Sequence, residues 1–291
     1  MIPAGRRPRS LIVTGDDFGS SHEVNAAIIE AHAHGVLTSA SLMVCGGAFE
    51  EAVALAKQNL RLAVGLHLTI SCEKAVSSPG TIPQVVCKDG RFPGNLWQAG
   101  CRYSLKSAVR RQIALEIRAQ LERFRATGLR LSHVDGHQHM HLVPAILDAL
   151  VSLAPEFGIR SIRLPREEFG LAVRLDPSGF STKALHQFYV RMLRPVNERQ
   201  LRAAGIFYAD RVYGFLQTGK VTERYLLDLI PRIRHRAVEI YAHPTLSPIS
   251  ERLGASRSQL DALLSPRVRE ALEAAGFCLS TYDEMSQCTD S

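Results

Sequence analysis

The alternation of short apolar segments with amphipathic segments is the feature that most constrains the fold of this chain. Apolar, β-branched runs predict strands at 11–14, 38–44, 62–68, 131–134, 159–164, 212–216, 237–242 and 277–279. A helical spacing of apolar residues predicts helices at 20–34, 49–58, 107–127, 144–153, 182–204, 222–229 and 260–275. Such an alternation is typical of a parallel sheet whose strands are joined by crossover helices. About seven units of this kind predict a closed or nearly closed (β/α) barrel, with a doubly wound open sheet as the alternative.

One catalytic barrel domain over residues 1–291 is the expected organisation, since α/β barrels of this length occur as single domains. Two long excursions interrupt the alternation, at about 71–103 and at 167–210. The first is rich in proline and glycine and carries Trp97, and connections of such length are often functional. No GxGxxG motif follows a strand, which argues against a dinucleotide-binding fold.

The composition is that of an ordinary globular protein, with 46% hydrophobic and 22% charged residues. The six cysteines are scattered without a CxxC pair, which predicts reduced thiols and a cytoplasmic protein. Three arginines precede the apolar run Leu11–Val13, but that run is too short for a signal peptide. No run approaches the roughly 20 apolar residues of a membrane span. The net charge of +7 fits anionic partners such as membrane headgroups, or simply a basic proteome.

Charged or imidazole residues stand at the ends of five predicted strands. They are Asp16 and Asp17, His67, Asp135 and His137, Arg163, and His243. The carboxyl ends of the strands of a parallel barrel lie on one face, where active sites of such barrels are found, so these side chains should converge. Buried polar groups cost free energy unless they are partnered, and packing alone does not explain five polar strand ends. The pattern therefore predicts a metal-dependent active site.

The segment Leu131–His141 concentrates metal-binding residue types. Its four histidines and Asp135 fall within nine residues on a predicted strand-to-helix loop. Imidazole and carboxylate are common ligands of divalent metals. Mixed ligation of this kind predicts one divalent ion, with magnesium or zinc favoured and manganese, cobalt or nickel as alternatives. The competing interpretation is a surface loop that happens to be rich in histidine.

The neighbouring carboxylates Asp16 and Asp17 suit such a centre. One of them can ligate the metal while the other accepts a proton from water, whose pKa a bound metal lowers towards about 7. The alternative is that the pair caps the following helix, although Ser20 or Ser21 can do so instead.

These motifs, in this order, resemble the YdjC-type carbohydrate deacetylases. The matching segments are Thr14–Gly19, Gly65–His67, Asp135–His141, Arg163–Pro165 and Glu239–Pro244, and they extend over nearly the whole chain. The resemblance implies an irregular (β/α) barrel similar to polysaccharide deacetylases. It also implies a divalent metal and a hydrolase that removes the N-acetyl group of an amino sugar by cleaving a linear amide bond.

The resemblance also implies a role for each site residue. Asp17, His67 and His137 would be the metal ligands, and Asp16 the general base. Arg163 would orient that base, and His243 would be the general acid that protonates the leaving amine. His141 would be a fourth ligand if a helical turn brings it beside His137, whereas His133 and His139 are expected to point elsewhere.

Within the family, the chain is most similar to members associated with hopanoid biosynthesis. That likeness rests on Leu37–Met43, on Ala108–Gln112 and Phe124–Gly128, and on Asp210–Phe215. It implies an N-acetylglucosaminyl hopanoid, a lipid-linked sugar, as the substrate. The Asp135–His137 triplet is instead closer to the members that act on soluble chitooligosaccharides, which are therefore the alternative substrates.

Two other functional classes compete with the deacetylase. A metal phosphoesterase on a similar barrel would need more ligands for a two-metal centre, and the sequence offers barely enough. A non-catalytic sugar- or nucleic-acid-binding protein would use the basic charge, but RNA-binding motifs are missing, so no nucleic-acid partner is expected. The sequence is silent on the oligomeric state.

Residues 182–204 predict a basic amphipathic helix in two pieces, bent near Pro195. Its basic residues are Lys183, Arg191, Arg194, Arg199 and Arg202, and its one acid is Glu198. Such a helix can lie in the interface of an anionic bilayer, which would place the enzyme peripherally at the inner face of the membrane. The alternative is a lid that packs over the barrel mouth, and both roles can coexist.

Overall fold

Parallel strands and helices make up the described part of the chain, residues 9–247 and 254–288 of a computed structural model. The strands are β1 Arg9–Phe18, β2 Ser39–Leu42, β3 Ala63–Leu68, β4 Val134–Gly136, β5 Arg211–Tyr213, β6 Ala237–Ala242 and β7 Phe277–Leu279. The helices are α1 His22–His34, α2 Phe49–Gln58, α3 Leu96–Leu105, α4 Ser107–Ala126, α5 Pro144–Phe157, α6 Phe169–Leu175, α7 Phe180–Ala203, α8 Glu223–Leu229, α9 Arg257–Leu264, α10 Pro266–Ala274 and α11 Tyr282–Gln287. Short 3-10 helices cover His137–Leu142 and Ile230–Arg232. Arg6 and Arg7, two of the N-terminal arginines, lie outside the described residues.

The strands form one curled parallel sheet in the order β4-β3-β2-β1-β6-β5, and β7 pairs with the start of β1. β1 is the central strand because it pairs with β2, β6 and β7. Its residues from Leu11 onwards are buried, as expected for a strand covered on both faces. The α/β fold predicted from the alternation is therefore confirmed.

Isolated bridges, each made of two hydrogen bonds, continue the sheet beyond β4. The Val134 amide donates to the Ser161 carbonyl at 3.0 Å, and the Ile162 amide donates to the Phe207 carbonyl at 3.0 Å, on the segment that leads into β5. These links curl the sheet into an irregular barrel rather than an open doubly wound sheet. The prediction of a regular strand at 159–164 is wrong. The neighbouring strand β4 is only three residues long, and this segment forms isolated bridges instead of a continuous ladder.

Several helix boundaries follow the predicted signals, and two do not. The Ser21 hydroxyl caps α1 by accepting from the Val24 amide, so the Asp16–Asp17 pair is not needed as a cap. The helix predicted at 260–275 is two helices, because Pro266 begins a new one at its first position. The helix predicted in two pieces at 182–204 is a single helix, α7, that contains Pro195.

Strand register brings the polar strand ends together. Gly15 on β1 pairs with Ala242 on β6, so Asp16 and His243 follow at adjacent positions. His67 on β3 pairs directly with Asp135 on β4. The four residues therefore meet at the carboxyl edge of the sheet, above a continuous hydrophobic core.

Two chain-wide properties accompany this fold. The six cysteines, all within the described residues, form no disulfide with one another. Across the residues that the structure describes, no helix combines the length and the apolar character needed to cross a bilayer.

Candidate metal centre and active site

Asp17, His67 and His137 form a buried cluster at the carboxyl edge of the sheet. One potential ligand atom from each residue lies within 4.8 Å of the others. The Asp17 Oδ1 atom is 3.3 Å from His67 Nε2 and 3.0 Å from His137 Nδ1. The structure thus places together the three residues expected to hold the metal.

Asp135 fixes the orientation of His67. Its Oδ1 atom accepts a hydrogen bond from His67 Nδ1 at 2.7 Å, which leaves Nε2 directed at Asp17. A carboxylate behind a ligating histidine sets the tautomer and raises the basicity of the ligand. Burial would lower the pKa of His67, but the adjacent Asp135 carboxylate outweighs it and raises that pKa to about 10. The position therefore favours positive charge.

Left-handed backbone conformations shape the cluster. Asp17 has φ of 64° and Gln138 and His139 have φ of 52° and 57°, values that are uncommon for residues other than glycine. Strain of this kind costs about 1–3 kcal/mol per residue and is concentrated at functional sites. Asp17 lies where the register of β1 against β2 shifts, between Gly15 and Phe18.

Arg163 is fully buried and binds three carboxylates. Its Nη1 and Nη2 atoms donate to the two oxygens of Asp16 at 2.7 and 2.8 Å. Nη1 also lies 2.6 Å from Asp135 Oδ2, and Nε and Nη2 donate to Glu239 Oε1 at 3.0 and 2.8 Å. A bidentate pair fixes both the position and the plane of the carboxylate, so Asp16 is held in one orientation.

His243 faces Asp16 from the end of β6. Its Nε2 atom is 4.0 Å from Asp16 Oδ2, and both residues line the same cavity. Gln259 clamps the backbone of His243, since its side chain accepts from the His243 amide at 3.2 Å and donates to the His243 carbonyl at 3.1 Å. The imidazole Nδ1 is buried without a hydrogen-bond partner, which leaves the ring available to a bound molecule.

A cation fits the Asp17, His67 and His137 cluster on two grounds. Around the cluster, the buried groups that favour positive charge are the Arg163 guanidinium and the His67 imidazole. They stand against four buried carboxylates, those of Asp16, Asp17, Asp135 and Glu239. Buried negative charge without compensation is costly, so the excess calls for a further cation. His137 Nε2 is also buried without a hydrogen-bond partner. One carboxylate and two imidazoles match the ligands that zinc and related divalent ions accept.

A second group of closely spaced ligand atoms, Asp16, His67 and Asp135, is less suited to a metal. Arg163 already occupies both of its carboxylates, with Nη1 at 2.7 Å from Asp16 Oδ2 and at 2.6 Å from Asp135 Oδ2. The cluster that contains Asp17 is therefore the better candidate for a cation.

The other histidines of the 131–141 segment have partners of their own. His141 Nε2 lies 2.9 Å from the Arg163 carbonyl, so this ring faces Arg163 rather than the cluster, where a fourth ligand was expected. His139 Nε2 is 2.9 Å from the Tyr241 hydroxyl, and His133 stacks on Tyr282 with ring centroids 4.6 Å apart. Burial lowers the pKa of His141 to about 4, which keeps that imidazole neutral.

Glu239, although it begins a quoted motif, was given no role from the sequence, and Tyr282 and Gln259 were missed; each supports a site residue. The Glu239 carboxylate accepts from Arg163, from the Thr14 hydroxyl at 2.7 Å and from the Tyr282 hydroxyl at 2.5 Å. A signal was present for Glu239, because a lone carboxylate inside the apolar strand 237–242 needs a buried partner. No comparable signal marks Tyr282 or Gln259, which lie outside any motif.

A cavity of about 780 Å³ opens over the cluster. Its polar lining includes Asp16, His67, His137 and His243, which we call the floor. Its apolar lining includes Met140, Val143, Leu185, Tyr189, Val190 and Leu193, which we call the upper chamber. The site therefore joins a polar, charged floor to an apolar upper chamber, and the last four of these apolar residues belong to α7.

A curled parallel sheet with a carboxylate–imidazole cluster at its carboxyl edge defines the chain as a barrel-type α/β protein with a candidate metal centre. The chain belongs to the YdjC-like protein family, which it matches over residues 10–274. The predicted family resemblance is thereby confirmed.

Curated relatives and a solved structure agree with this membership. The chain is 31% identical to a carbohydrate deacetylase of Geobacillus stearothermophilus over 283 residues, which cover 95% of this chain and 98% of the relative. It is 43% identical to a carbohydrate deacetylase of Brevibacillus brevis over 184 residues, 62% of this chain and 69% of the relative. A crystal structure from Enterococcus faecalis, provisionally named for cellobiose-phosphate cleavage, superposes with a TM-score of 0.74 at 22% identity, covering 96% of this chain and 99% of that one. This last likeness shows a shared fold.

Proposed function

We propose that this chain, as one catalytic domain, is a metal-dependent carbohydrate N-deacetylase that acts on an N-acetylglucosamine-type sugar. The relatives named carbohydrate deacetylase support the reaction class. The observation that carries the proposal is the pairing of Asp16 with His243, 4.0 Å apart beside the Asp17, His67 and His137 cluster. Amide hydrolysis needs a base for water and an acid for the leaving nitrogen, and this pair supplies both.

The reaction assigns one proton transfer to each of these two residues. Asp16 takes a proton from water as the water oxygen forms a bond to the acetyl carbonyl carbon. His243, protonated, gives its proton to the amide nitrogen as the carbon–nitrogen bond breaks, which releases acetate and a free amine. Arg163 binds no substrate in this scheme but holds the Asp16 carboxylate in position.

Asp17, His67 and His137 would hold the divalent ion, with magnesium or zinc as the favoured metals. When bound, it would supply Lewis acidity towards the acetyl oxygen and promote deprotonation of water near neutral pH. Asp135 supports this role because it orients His67. His141 would not contribute a ligand, since its Nε2 atom lies 2.9 Å from a backbone carbonyl.

A glycosylated hopanoid lipid is the substrate we favour, and a soluble chitooligosaccharide is the alternative. The sequence likeness to hopanoid-associated members supports the lipid. So does the apolar upper chamber, where Met140, Val143 and Leu193 offer a hydrophobic wall beside the catalytic floor. A ring-system aglycone would bury apolar surface there, whereas a second sugar would leave hydroxyl groups without partners.

Acetate release under metal-replete conditions tests the proposal. The substrates are an N-acetylglucosaminyl lipid in detergent, N,N′-diacetylchitobiose, and a sugar phosphate whose phosphate release is followed. Acetate from either of the first two supports the deacetylase, and faster turnover of the lipid supports the lipid-linked substrate. Phosphate release alone would identify a phosphoesterase, and binding without turnover a non-catalytic sugar-binding protein.

A further inference from the structure

Helix α7 carries more than half of the large apolar side chains that are exposed in the described part of the chain. Eight large apolar side chains are exposed among the described residues, and five of them lie on this helix. They are Phe180, Leu185, Phe188, Met192 and Val196, with exposed fractions of 55%, 53%, 58%, 63% and 48%. The last four follow one another at helical spacings of three and four residues, so they form one stripe. We call these four residues the α7 stripe.

The opposite side of α7 is anchored to the catalytic core. Val190, Asn197 and Leu201 are buried there, and the Asn197 amide donates to the Leu142 carbonyl at 3.0 Å. Leu142 ends the 3-10 helix that begins with His137. The α7 stripe therefore faces away from the side of α7 that contacts the segment carrying His137, a candidate metal ligand.

Helix α7 is basic along the length of the α7 stripe. Residues 185–203 contain four arginines and one glutamate, a net charge of +3. Arg199 stands three residues after Val196 and seven after Met192, on the same face as the stripe. Glu198 pairs with Arg194 at 2.9 Å and with Arg202 at 3.6 Å, whereas Arg191 and Arg199 are exposed. Lys183, expected to add to this basic surface, is buried instead and pairs with Asp176 at 3.0 Å.

We propose that the α7 stripe docks on an anionic lipid bilayer. Exposed apolar groups flanked by arginines complement the two layers of such an interface, the acyl boundary and the negatively charged headgroups. A second copy of the chain is the less suitable occupant. Two copies facing each other through this surface would bring arginines against arginines, and each chain carries a net charge of +7.

The docked helix places the cavity mouth at the membrane. Leu185 and His186 are exposed on α7 and at the same time line the cavity over the catalytic floor. A bilayer in contact with the stripe therefore lies next to the opening of the apolar upper chamber. The docking itself does not depend on the reaction, but if the proposed function holds, the substrate class becomes a sugar attached to a membrane lipid.

Vesicle sedimentation with the full chain tests the docking. We expect binding to vesicles of equimolar phosphatidylglycerol and phosphatidylcholine at low salt, and no binding to pure phosphatidylcholine. Binding should fade at about 1 M salt, where the screening length falls to about 3 Å. The pair R191E and R199E should weaken partitioning at least about 25-fold, since each basic residue contributes about fivefold. The pair F188S and M192S should also weaken it, and none of these four residues lines the catalytic cavity.

Matched variants control for charge and for apolar surface in general. R110E with R111E makes the same charge change on exposed positions of α4, and L60S removes a side chain that is 89% exposed elsewhere. Both should leave vesicle binding unchanged. Equal losses in the controls, or no binding by the unaltered protein, would overturn the proposal. So would a dimer in sedimentation velocity that F188S with M192S dissociates. Acetate release from N,N′-diacetylchitobiose is measured in parallel without vesicles. Failure of docking and failure of the deacetylase reaction can therefore be distinguished.

Discussion

Arg163 donates two hydrogen bonds to the carboxylate of Asp16, at 2.7 and 2.8 Å, from a fully buried guanidinium. This contact holds the Asp16 carboxylate in one plane at the cavity floor. Asp17, the next residue, has a left-handed backbone conformation. Two adjacent aspartates thereby meet different partners, one an arginine and the other two imidazoles, which is the basis for giving them different roles.

Asp16→Asn should lower kcat about 10²–10⁴-fold, the usual worth of a general base, and leave the metal content intact. An amide cannot take a proton from water, but it is close in size to the carboxylate. Elemental analysis and steady-state kinetics on the same preparation measure both quantities. If the variant instead loses its metal while residual activity follows occupancy, the roles of Asp16 and Asp17 are exchanged.

Glu239→Gln should lower kcat about tenfold to a hundredfold with little change in KM, because a small misplacement of a catalytic group has effects of that size. The neutral amide weakens the contact with Arg163 and so loosens the support of Asp16. Tyr282→Phe, which removes only the hydroxyl that donates to Glu239, should have a smaller effect in the same direction. An unchanged kcat with a lower melting temperature would show that Glu239 is only a structural partner.

His67→Ala and His137→Ala should each abolish metal binding and activity, because a single carboxylate and one imidazole hold a divalent ion poorly. The matched control is His139→Ala, which removes an imidazole that lines the same cavity and contacts Tyr241. It should keep its metal. Circular dichroism establishes that all three variants are folded. Full occupancy in either of the first two would remove that residue from the ligand set.

Local pattern was sufficient for most of the fold because the buried parallel strands are apolar runs with clear ends. Helix α2 and strands β6 and β7 lie at the predicted positions. The prediction of a regular strand at 159–164 failed because of tertiary context. Ser161 and Phe207 pair at an isolated bridge that spacing cannot reveal. The prediction of one helix at 260–275 overlooked Pro266, although proline favours the first position of a new helix.

The site was predictable to the extent that it lies at strand ends. Asp16, His67 and His243 follow apolar runs, and parallel topology brings such positions to one edge. His141 shows where this reasoning stops. Its spacing from His137 suggested a common face, but Gln138 and His139 adopt left-handed conformations that break the helical turn. Backbone reversals at two non-glycine residues leave no mark in the sequence.

His243→Ala should slow deacetylation of the amide substrate about 10²–10⁴-fold while metal occupancy stays intact. The leaving nitrogen of an amide needs a proton, and we propose that the His243 ring, 4.0 Å from Asp16, gives it. An aryl acetate, whose leaving oxygen departs without a proton, should be hydrolysed at nearly the rate of the unaltered protein. Equal losses on both substrates would argue that the ring is structural.

The buried carboxyl group of Glu167 predicts the pH dependence of stability. It accepts from the Leu216 amide at 2.8 Å and from the Tyr225 hydroxyl at 3.3 Å, next to Phe215 on the cavity wall. Burial raises the pKa of Glu167 from its ordinary 4.5 to about 7. Between these values the folded protein binds more protons than the unfolded chain, so the stabilising contribution of this group is lost as the pH rises from about 4.5 to about 7.

The free energy of unfolding should therefore fall less between pH 4.5 and pH 7 in Glu167→Gln than in the unaltered protein, by up to about 3 kcal/mol. Denaturant unfolding at the two pH values gives this difference for each protein. Glu168→Gln is the matched control, since its carboxylate accepts from the Tyr213 hydroxyl at 2.7 Å but is only half-buried, and it should retain the decline. Identical pH dependence in the Glu167 variant and the unaltered protein would mean that Glu167 remains ionised in the folded state throughout.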